Sequence, residues 1–154
     1  MKITWKHSDS DFGSPLSFDD KVTIFRERIW GWYLYIAELC INGGQVHDGS
    51  ARVHPIPHSG YGVLSLTLSY FETIGKHVEG YTNHSSQTMP GIFLSGAPGT
   101  ALIFDPAQKH LLINPHLIPK KLVDHLDAYC TQLRAGTDPR LRKNFEARFD
   151  YELS

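Results

Sequence analysis

The sequence is short of cysteine, and this scarcity excludes a disulfide-stapled secreted domain. Its two cysteines, Cys40 and Cys130, stand far apart in apolar, helix-like stretches, and neither belongs to a C-x-x-C pair. Small secreted scaffolds and cysteine-based zinc sites need several closely spaced cysteines. We therefore expect two free, buried thiols in a protein of the cytosol.

Long apolar runs and a strong net charge are also missing. No stretch of the chain approaches the roughly 20 apolar residues that a membrane-spanning helix needs. The N-terminal sequence MKITWKHSDSDFG has no apolar core of the kind that defines a signal peptide. The net charge of −1 argues against a strongly basic nucleic-acid binder, although a local basic patch remains compatible with it. These absences predict a cytoplasmic protein with no membrane contact.

The pattern of apolar residues predicts one mainly α domain of about four helices. Residues 1–16 are polar and are expected to be loosely ordered, whereas residues 17–154 form the single helical domain. Ser17 and Asp20 make an approximate capping box, after which apolar residues recur at steps of three and four. The predicted helices cover residues 18–41, 60–78 and 118–134, and a last helix that begins at Pro139.

One β-hairpin is predicted between the second and third of these helices, near residues 101–114. There the strand-like runs ALIF and HLLIN flank the turn segment DPAQK. The glycine-rich LSGAPGT just before it lacks the Lys of a phosphate-binding loop, and a strand follows it where that loop needs a helix. The sequence therefore predicts no nucleotide cofactor, and no other cofactor motif is present.

Three histidines are candidate metal ligands in the loop between the first two helices. His47, His54 and His58 lie in a stretch rich in Gly, Pro and Ser, and imidazole is a usual zinc ligand. However, Pro55 and Pro57 impose an extended path, and the spacing matches no known zinc signature. The first interpretation is a bend that leads into a helix, with His58 or Ser59 at the cap and no metal. A zinc-binding or structural interaction module is the alternative.

Basic residues cluster near the end of the chain. They are Arg134, Arg140, Arg142, Lys143 and Arg148, accompanied by Asp138 and Glu146. Arg142 and Glu146 stand four apart and can pair on a helix, so one interpretation is a solvated helix face. The other is a surface that contacts RNA or another anionic partner through Arg140, Arg142, Lys143 and Arg148.

Several blocks of the chain, taken together, resemble one family. They are RIWGWYLYIAELCINGG, IPHSGYGVLSLTLSYFE, KHVEGY, TMPGIFLSG, LLINPH and LRKNFEARFDYE, and they cover most of residues 21–152. Their order and wording resemble a family of small, uncharacterised bacterial helical proteins that is distantly similar to HEPN-type domains. The resemblance implies a helical fold and a role in a defence or stress system, where many HEPN-type proteins are RNases or inactive relatives of them.

The resemblance also implies a catalytic pattern that this chain carries only in part. HEPN-type RNases place an Arg shortly before a His on a late helix, and two protomers pair these residues across a homodimer. In similar proteins a segment of the type R-x-G-L-Y-H lies between the EGY and MPG blocks, whereas here EGY runs almost directly into TNHSSQTMPG. His84 stands where that His falls, but no Arg precedes it at the required offset, so the Arg-bearing segment is missing.

The leading hypothesis is therefore a degenerate HEPN-like domain that contacts RNA or a protein partner without catalysis, and so is not an enzyme. An apolar face left uncovered by the missing segment would favour a homodimer. The alternative is a metal-independent RNase that uses His84 across a dimer, helped by Lys76 or Arg52 of the second protomer.

Overall fold

The protein is described here by a computed structural model of the 154-residue chain. The structure describes residues 3–4, 6–82, 104–105, 110–111 and 118–154. After a short 3-10 turn at Asp9–Asp11, the elements are α1 (Phe18–Ile29), a π-helical turn (Trp30–Leu34), α2 (Tyr35–Asn42), β1 (Gly44–Gln45), β2 (Arg52–Val53), α3 (Gly60–Glu79), β3 (Phe104–Asp105), β4 (His110–Leu111), α4 (Ile118–Ala135) and α5 (Pro139–Leu153). The predicted mainly α architecture is confirmed.

The predicted hairpin is present, and a second hairpin with strands of the same length lies in the loop that joins α2 to α3. Strands β3 and β4 pair antiparallel, with Phe104 opposite Leu111 and Asp105 opposite His110. Strands β1 and β2 also pair antiparallel, with Gly44 opposite Val53. The sequence indicated only an extended or turning path for β2, because two-residue strands carry too few side chains to show alternation.

Helix α1 begins where the capping box was predicted. The Ser17 hydroxyl accepts a hydrogen bond from the Asp20 amide at 3.1 Å, and the Asp20 carboxylate accepts one from the Ser17 amide at 3.0 Å. Two of the otherwise unpaired amides at the helix start are thereby satisfied. Asp138 likewise caps α5, since its carboxylate accepts from the amides of Arg140 and Leu141, and Pro139 takes the first helical position as predicted.

A π-helical turn of sequence WGWYL interrupts the first long helix. It joins α1 to α2 without a break, so residues Phe18–Asn42 form one continuous helical segment. The wider turn shifts the helical register by part of a turn, which changes the direction of the side chains on either side of it. Of its residues, Leu34 is buried in the core, whereas the Trp32 side chain is exposed.

Helix α3 starts after a bend and ends at a glycine. Ser59 precedes its first turn, but the Ser59 hydroxyl donates to the Cys40 carbonyl at 3.2 Å and does not cap α3 with its side chain. His58, the other predicted cap, adopts a positive φ of 61°. Ser59 therefore occupies the N-cap position, one of the two residues predicted for it, but the capping is not made by its side chain. Gly80 ends α3 in the left-handed conformation, with φ of 69°, as expected for a C-terminal glycine.

The main core lies between α1, α3, α4 and α5. Phe145 is fully buried and meets the rings of Phe18, Phe25 and Phe149 at centroid distances of 5.7, 5.2 and 5.7 Å. The other buried apolar residues of this cluster are Val22, Ile24, Ile29, Leu34, Tyr70, Phe71, Ile74, Leu122, Leu126, Tyr129, Cys130 and Leu133. Helices α1, α3, α4 and α5 all contribute to this cluster, whereas Ala37, Ile41 and Val63 form a second, smaller cluster between α2 and α3.

The described part of the N-terminal segment is attached to α1 through a buried carboxylate. Glu27 accepts a hydrogen bond from the Thr4 hydroxyl at 3.0 Å, and its Oε2 lies 2.7 Å from Nδ1 of His7. Ile3, Phe12 and Leu16 pack on the main core nearby. These contacts come from a few residues, which the polar composition of residues 1–16 does not single out.

Candidate functional site

A cavity of about 430 Å³ lies between α1, the π-helical turn, α3 and α5. Its charged lining residues are Arg28, Glu72, Lys76, Arg148 and Glu152, and the others are Phe25, Ile29, Trp32, Tyr33, Ser69, Thr73 and Phe149. Small-molecule sites in proteins have volumes of roughly 300–1,000 Å³ and combine apolar walls with a few polar groups. The size and lining of this cavity, called the α1–α3–α5 pocket below, therefore suit a small polar ligand.

The wall from α3 presents four polar side chains on one helix face. Ser69, Glu72, Thr73 and Lys76 follow the i, i+3, i+4, i+7 pattern that aligns residues along a helix. Lys76 forms an ion pair with Oε1 of Glu72. The Thr73 hydroxyl donates to the Ser69 carbonyl at 2.8 Å and lies 3.4 Å from the Tyr33 hydroxyl. This wall thus offers hydroxyl groups and an ammonium–carboxylate pair side by side.

The wall from α1 and the π-helical turn presents a cation against an aromatic ring. The guanidinium carbon of Arg28 lies 5.5 Å from the ring centroid of Trp32, and 56% of the Trp32 surface is exposed. The Arg28 Nε donates to the Ile3 carbonyl at 3.1 Å. Burial lowers the pKa of Arg28 and the nearby Glu152 carboxylate partly offsets this, but an arginine remains charged at neutral pH.

Arg28 differs from the other two cations of the pocket in its partners. Lys76 is paired with Glu72, and Arg148 with Glu152 at 2.8 Å. Among the described residues, none of the ion pairs within 4.0 Å includes Arg28. Three cations face two carboxylates in the lining, so the pocket carries one excess positive charge, and Arg28 supplies it.

The wall from α5 is fixed by a network that reaches the buried His77. Arg148 donates from Nε to Glu152 and from Nη1 to the Tyr81 carbonyl at 3.0 Å. The other carboxylate oxygen of Glu152 lies 3.5 Å from Nε2 of His77, whose side chain is fully buried. Burial alone would raise the pKa of Glu152, but the contacts with His77 and Arg148 outweigh it and hold that pKa below its ordinary value.

The predicted basic surface on α5 is only partly formed. Arg148 does not lie on this surface as predicted, because only 7% of it is exposed and its guanidinium donates to Glu152 and to the Tyr81 carbonyl. The Arg142 guanidinium lies 3.8 Å from the ring centroid of Phe18. Glu146, the expected partner of Arg142, is approached instead by the ammonium of Lys21 at 3.6 Å. Arg140, Arg142 and Lys143 are all exposed on α5.

The RNase alternative depends on His84, Lys76 and Arg52, and the structure describes the last two of these residues. His84 lies outside the described residues. Lys76 is in the α3 wall of the pocket, paired with Glu72, and Arg52 is in strand β2. The contact between His84 and either of them therefore stays a prediction.

The three loop histidines do not form a metal site. Across the described ranges, which include His47, His54 and His58, no group of three or more His, Cys, Asp or Glu side chains is arranged to hold a metal ion. The ring of His47 stacks on Tyr35 at a centroid distance of 3.7 Å, and it also contacts Trp30 at 5.0 Å. The zinc-binding alternative has no ligand geometry to support it.

Sequence reasoning missed the α1–α3–α5 pocket as a site. The apolar pattern indicates only which faces of the helices are buried, and the basic residues indicate a surface only where they cluster in sequence. The pocket instead draws one or two charges from each of three helices that are distant along the chain. The available signals were the i, i+4 pairs Arg28–Trp32, Glu72–Lys76 and Arg148–Glu152, but each of them alone is typical of an ordinary solvated helix face.

Comparisons of this chain with protein-family models, with curated proteins and with solved structures found no match. The helices of the described residues include none long and apolar enough to cross a membrane.

Proposed function

We propose that the protein contacts single-stranded RNA, without turning it over, through the α1–α3–α5 pocket. The observation that carries the proposal is the pairing of Arg28 with the exposed ring of Trp32. Proteins bind single strands by stacking bases on exposed aromatic rings and by holding the adjacent phosphates with cations. Arg28 is outside the ion pairs of the described residues, so a phosphate can take the position of its missing counter-ion.

The proposal moves the contact surface from the basic face of α5 to the pocket. Of the four residues predicted for that face, Arg148 is buried and Arg142 lies over Phe18. Arg140, Arg142 and Lys143 are exposed on α5, but none of them lines the pocket. They are suited to a weak, long-range attraction of RNA, whereas Arg28 and Trp32 are suited to hold a nucleotide in place.

The HEPN-like resemblance gives the proposal its setting. A mainly α domain is compatible with that family, and the role would be RNA contact in a cytoplasmic bacterial defence or stress system. The pocket would then bind RNA within one chain, and an Arg–His pair across a dimer would not be required.

The proposal is tested by measuring the fluorescence anisotropy of a short, labelled single-stranded RNA as the protein is added. We expect Arg28→Gln and Trp32→Ala each to weaken binding by about tenfold, since one stacked base contributes about 1–3 kcal/mol. The matched controls are Lys143→Gln, an exposed cation on α5, and Ile56→Ala, an apolar residue that is 51% exposed and does not line the pocket. Both controls should bind nearly as well as the wild type.

Two results would overturn this proposal. The first is loss of binding in Lys143→Gln or Arg140→Gln together with unchanged binding in Arg28→Gln, which would return the contact to the face of α5. The second is absence of RNA binding by the folded wild-type protein at low ionic strength, where electrostatic attraction is strongest.

Incubation of the same RNA with the protein in the absence of metal distinguishes the RNase alternative from binding without cleavage. We expect the RNA to remain intact. Cleavage by the wild type that disappears in His84→Ala, with the helical content unchanged, would replace the non-catalytic proposal by the enzymatic one.

A homodimer remains part of the proposal. Tyr61, Leu64 and Leu68 follow an i, i+3, i+7 pattern on α3 and are 84%, 37% and 43% exposed. A row of exposed apolar side chains on one helix face favours an interface. Light scattering coupled to size exclusion should give the mass of a dimer, and Leu68→Glu should give that of a monomer. A monomeric wild type would remove this part of the proposal.

A further inference from the structure

We infer that the α1–α3–α5 pocket prefers guanine over the other three RNA bases. The inference rests on the proposed function, because it names the base that would stack on Trp32. The feature that carries it is the ion pair of Lys76 with Glu72 on the α3 wall.

The two carboxylates of the pocket differ in how much of their hydrogen-bonding capacity is already used. Both oxygens of Glu152 face protein groups, since Oε1 accepts from Arg148 and Oε2 lies 3.5 Å from His77. The ion pair of Glu72 uses Oε1 toward Lys76, and the Glu72 and Lys76 side chains remain 27% and 24% exposed. Glu72 is therefore the carboxylate that can accept from a ligand.

The donor and acceptor pattern of this pair matches one base edge best. The Watson–Crick edge of guanine presents the O6 acceptor beside the N1–H and N2–H donors. A carboxylate can accept two parallel N–H groups, and an ammonium next to it can donate to O6, so all three polar groups are satisfied. Adenine and cytosine offer the carboxylate one amine beside acceptors, and uracil offers one N–H between two acceptors. Only guanine gives Glu72 two donors.

The remaining walls agree with a single guanine nucleotide as the ligand. Trp32 can stack on the base, and Arg28, whose guanidinium lies against that ring, can hold the phosphate. Ser69, Thr73 and Tyr33 offer hydroxyls between these two ends. The cavity of about 430 Å³ is in the range of a small-ligand site.

The test is a calorimetric titration of the wild-type protein with each of the 5′-monophosphates of guanosine, adenosine, uridine and cytidine. We expect the guanosine nucleotide to bind at least about tenfold more tightly than the other three, the discrimination typical of a bidentate base contact. Glu72→Gln should reduce its affinity to that of the adenosine nucleotide. The control Glu38→Gln removes a carboxylate on α2 that does not line the pocket, and it should leave the preference unchanged.

The outcomes separate this inference from the proposed function. Equal binding of all four nucleotides, or a preference for another base, overturns the guanine assignment but leaves RNA contact intact if Arg28→Gln still weakens RNA binding. RNA binding through Arg28 and Trp32 without binding of any mononucleotide overturns the single-nucleotide site. Failure to bind both RNA and nucleotides overturns the two together. The comparison of nucleotides uses the wild type, so it does not depend on how well Glu72→Gln folds.

Discussion

Nε2 of His77 lies 3.5 Å from Oε2 of Glu152, at the end of α5 that closes the pocket. The other ring nitrogen of His77, Nδ1, lies 2.9 Å from the Thr73 carbonyl, which can only accept, so Nδ1 carries a proton. His77 on α3 and Arg148 on α5 thus both approach the carboxylate of Glu152, and together they hold this side chain in the α5 wall of the pocket.

Glu152→Gln should make the protein less sensitive to acid. The pKa of Glu152 is held below its ordinary value of 4.5 by His77 and Arg148, against the effect of burial. A carboxylate with a lowered folded-state pKa stabilises the protein above that ordinary value, and this stabilisation is lost as the pH falls through the folded-state pKa. Urea unfolding followed from neutral pH to below the ordinary value of 4.5 should show a shallower decline in the variant.

The control for this measurement is Asp124→Asn, which removes an exposed carboxylate on α4 and should keep the acid profile of the wild type. An acid profile of Glu152→Gln that coincides with that of the wild type would mean that the contacts with His77 and Arg148 do not stabilise the charged form.

The two thiols should differ sharply in their reaction with a thiol reagent in the native state. Both cysteines are free, as predicted, but Cys130 is 2% exposed whereas Cys40 is partly exposed. Burial raises the pKa of Cys130 to about 12, and the thiolate is the reactive form. Native protein should release about one equivalent of chromophore, through Cys40, and the second only on unfolding. Native labelling that persists in Cys40→Ser would contradict this assignment.

Helix ends and helix faces could be predicted from the sequence because they follow local rules. The Ser17–Asp20 box, Pro139 and Gly80 act within one or two helical turns, and each does in the structure what the sequence indicated. Ser59 shows the limit of such rules. Its hydroxyl had an alternative acceptor in the Cys40 carbonyl, 19 positions away, and no local pattern reveals that contact.

The pocket could not be predicted because it depends on tertiary packing and on the register change at the π-helical turn. Trp32 and Tyr33 sit in that turn, and a regular helix would aim them in other directions. Arg148 was assigned to a basic surface from its neighbours in sequence, yet packing of α5 on α3 buries it against Tyr81 and Glu152. Charge clusters along a chain indicate surfaces only where no other element covers them.

Gly80→Ala should destabilise the protein, whereas Gly62→Ala should not. Gly80 has a φ of 69°, and a Cβ there would meet the Cα of Asn144 at 3.0 Å, so both strain and crowding oppose a side chain. We expect a loss of about 1–3 kcal/mol. A Cβ at Gly62 meets nothing within 4 Å, and alanine favours a helix interior by about 0.5–1 kcal/mol. Urea unfolding of both variants measures the difference, and equal stabilities would contradict the left-handed end of α3.

His125→Gln should remove part of the stability that the protein loses between neutral and mildly acidic pH. Burial lowers the pKa of His125 from its ordinary value of 6.5, and its Nδ1 lies 2.6 Å from the Tyr70 hydroxyl, which also lies 3.3 Å from the Leu122 carbonyl. The unfolded chain therefore takes up a proton at a higher pH than the folded one. As the pH falls below 6.5, this difference favours unfolding. The neutral ring of His125 is therefore the form that stabilises the folded protein.

The measurement for His125→Gln is urea unfolding at neutral pH and about one pH unit below the ordinary histidine value. We expect the variant to lose less stability than the wild type over that interval, although it should be about 1 kcal/mol less stable at neutral pH if Gln makes a poorer bond with Tyr70. His54→Gln, an exposed His in the loop before α3, serves as the control and should follow the wild type. An unchanged slope in His125→Gln would show that His125 keeps the same proton affinity on folding, contrary to the lowering of its pKa by burial.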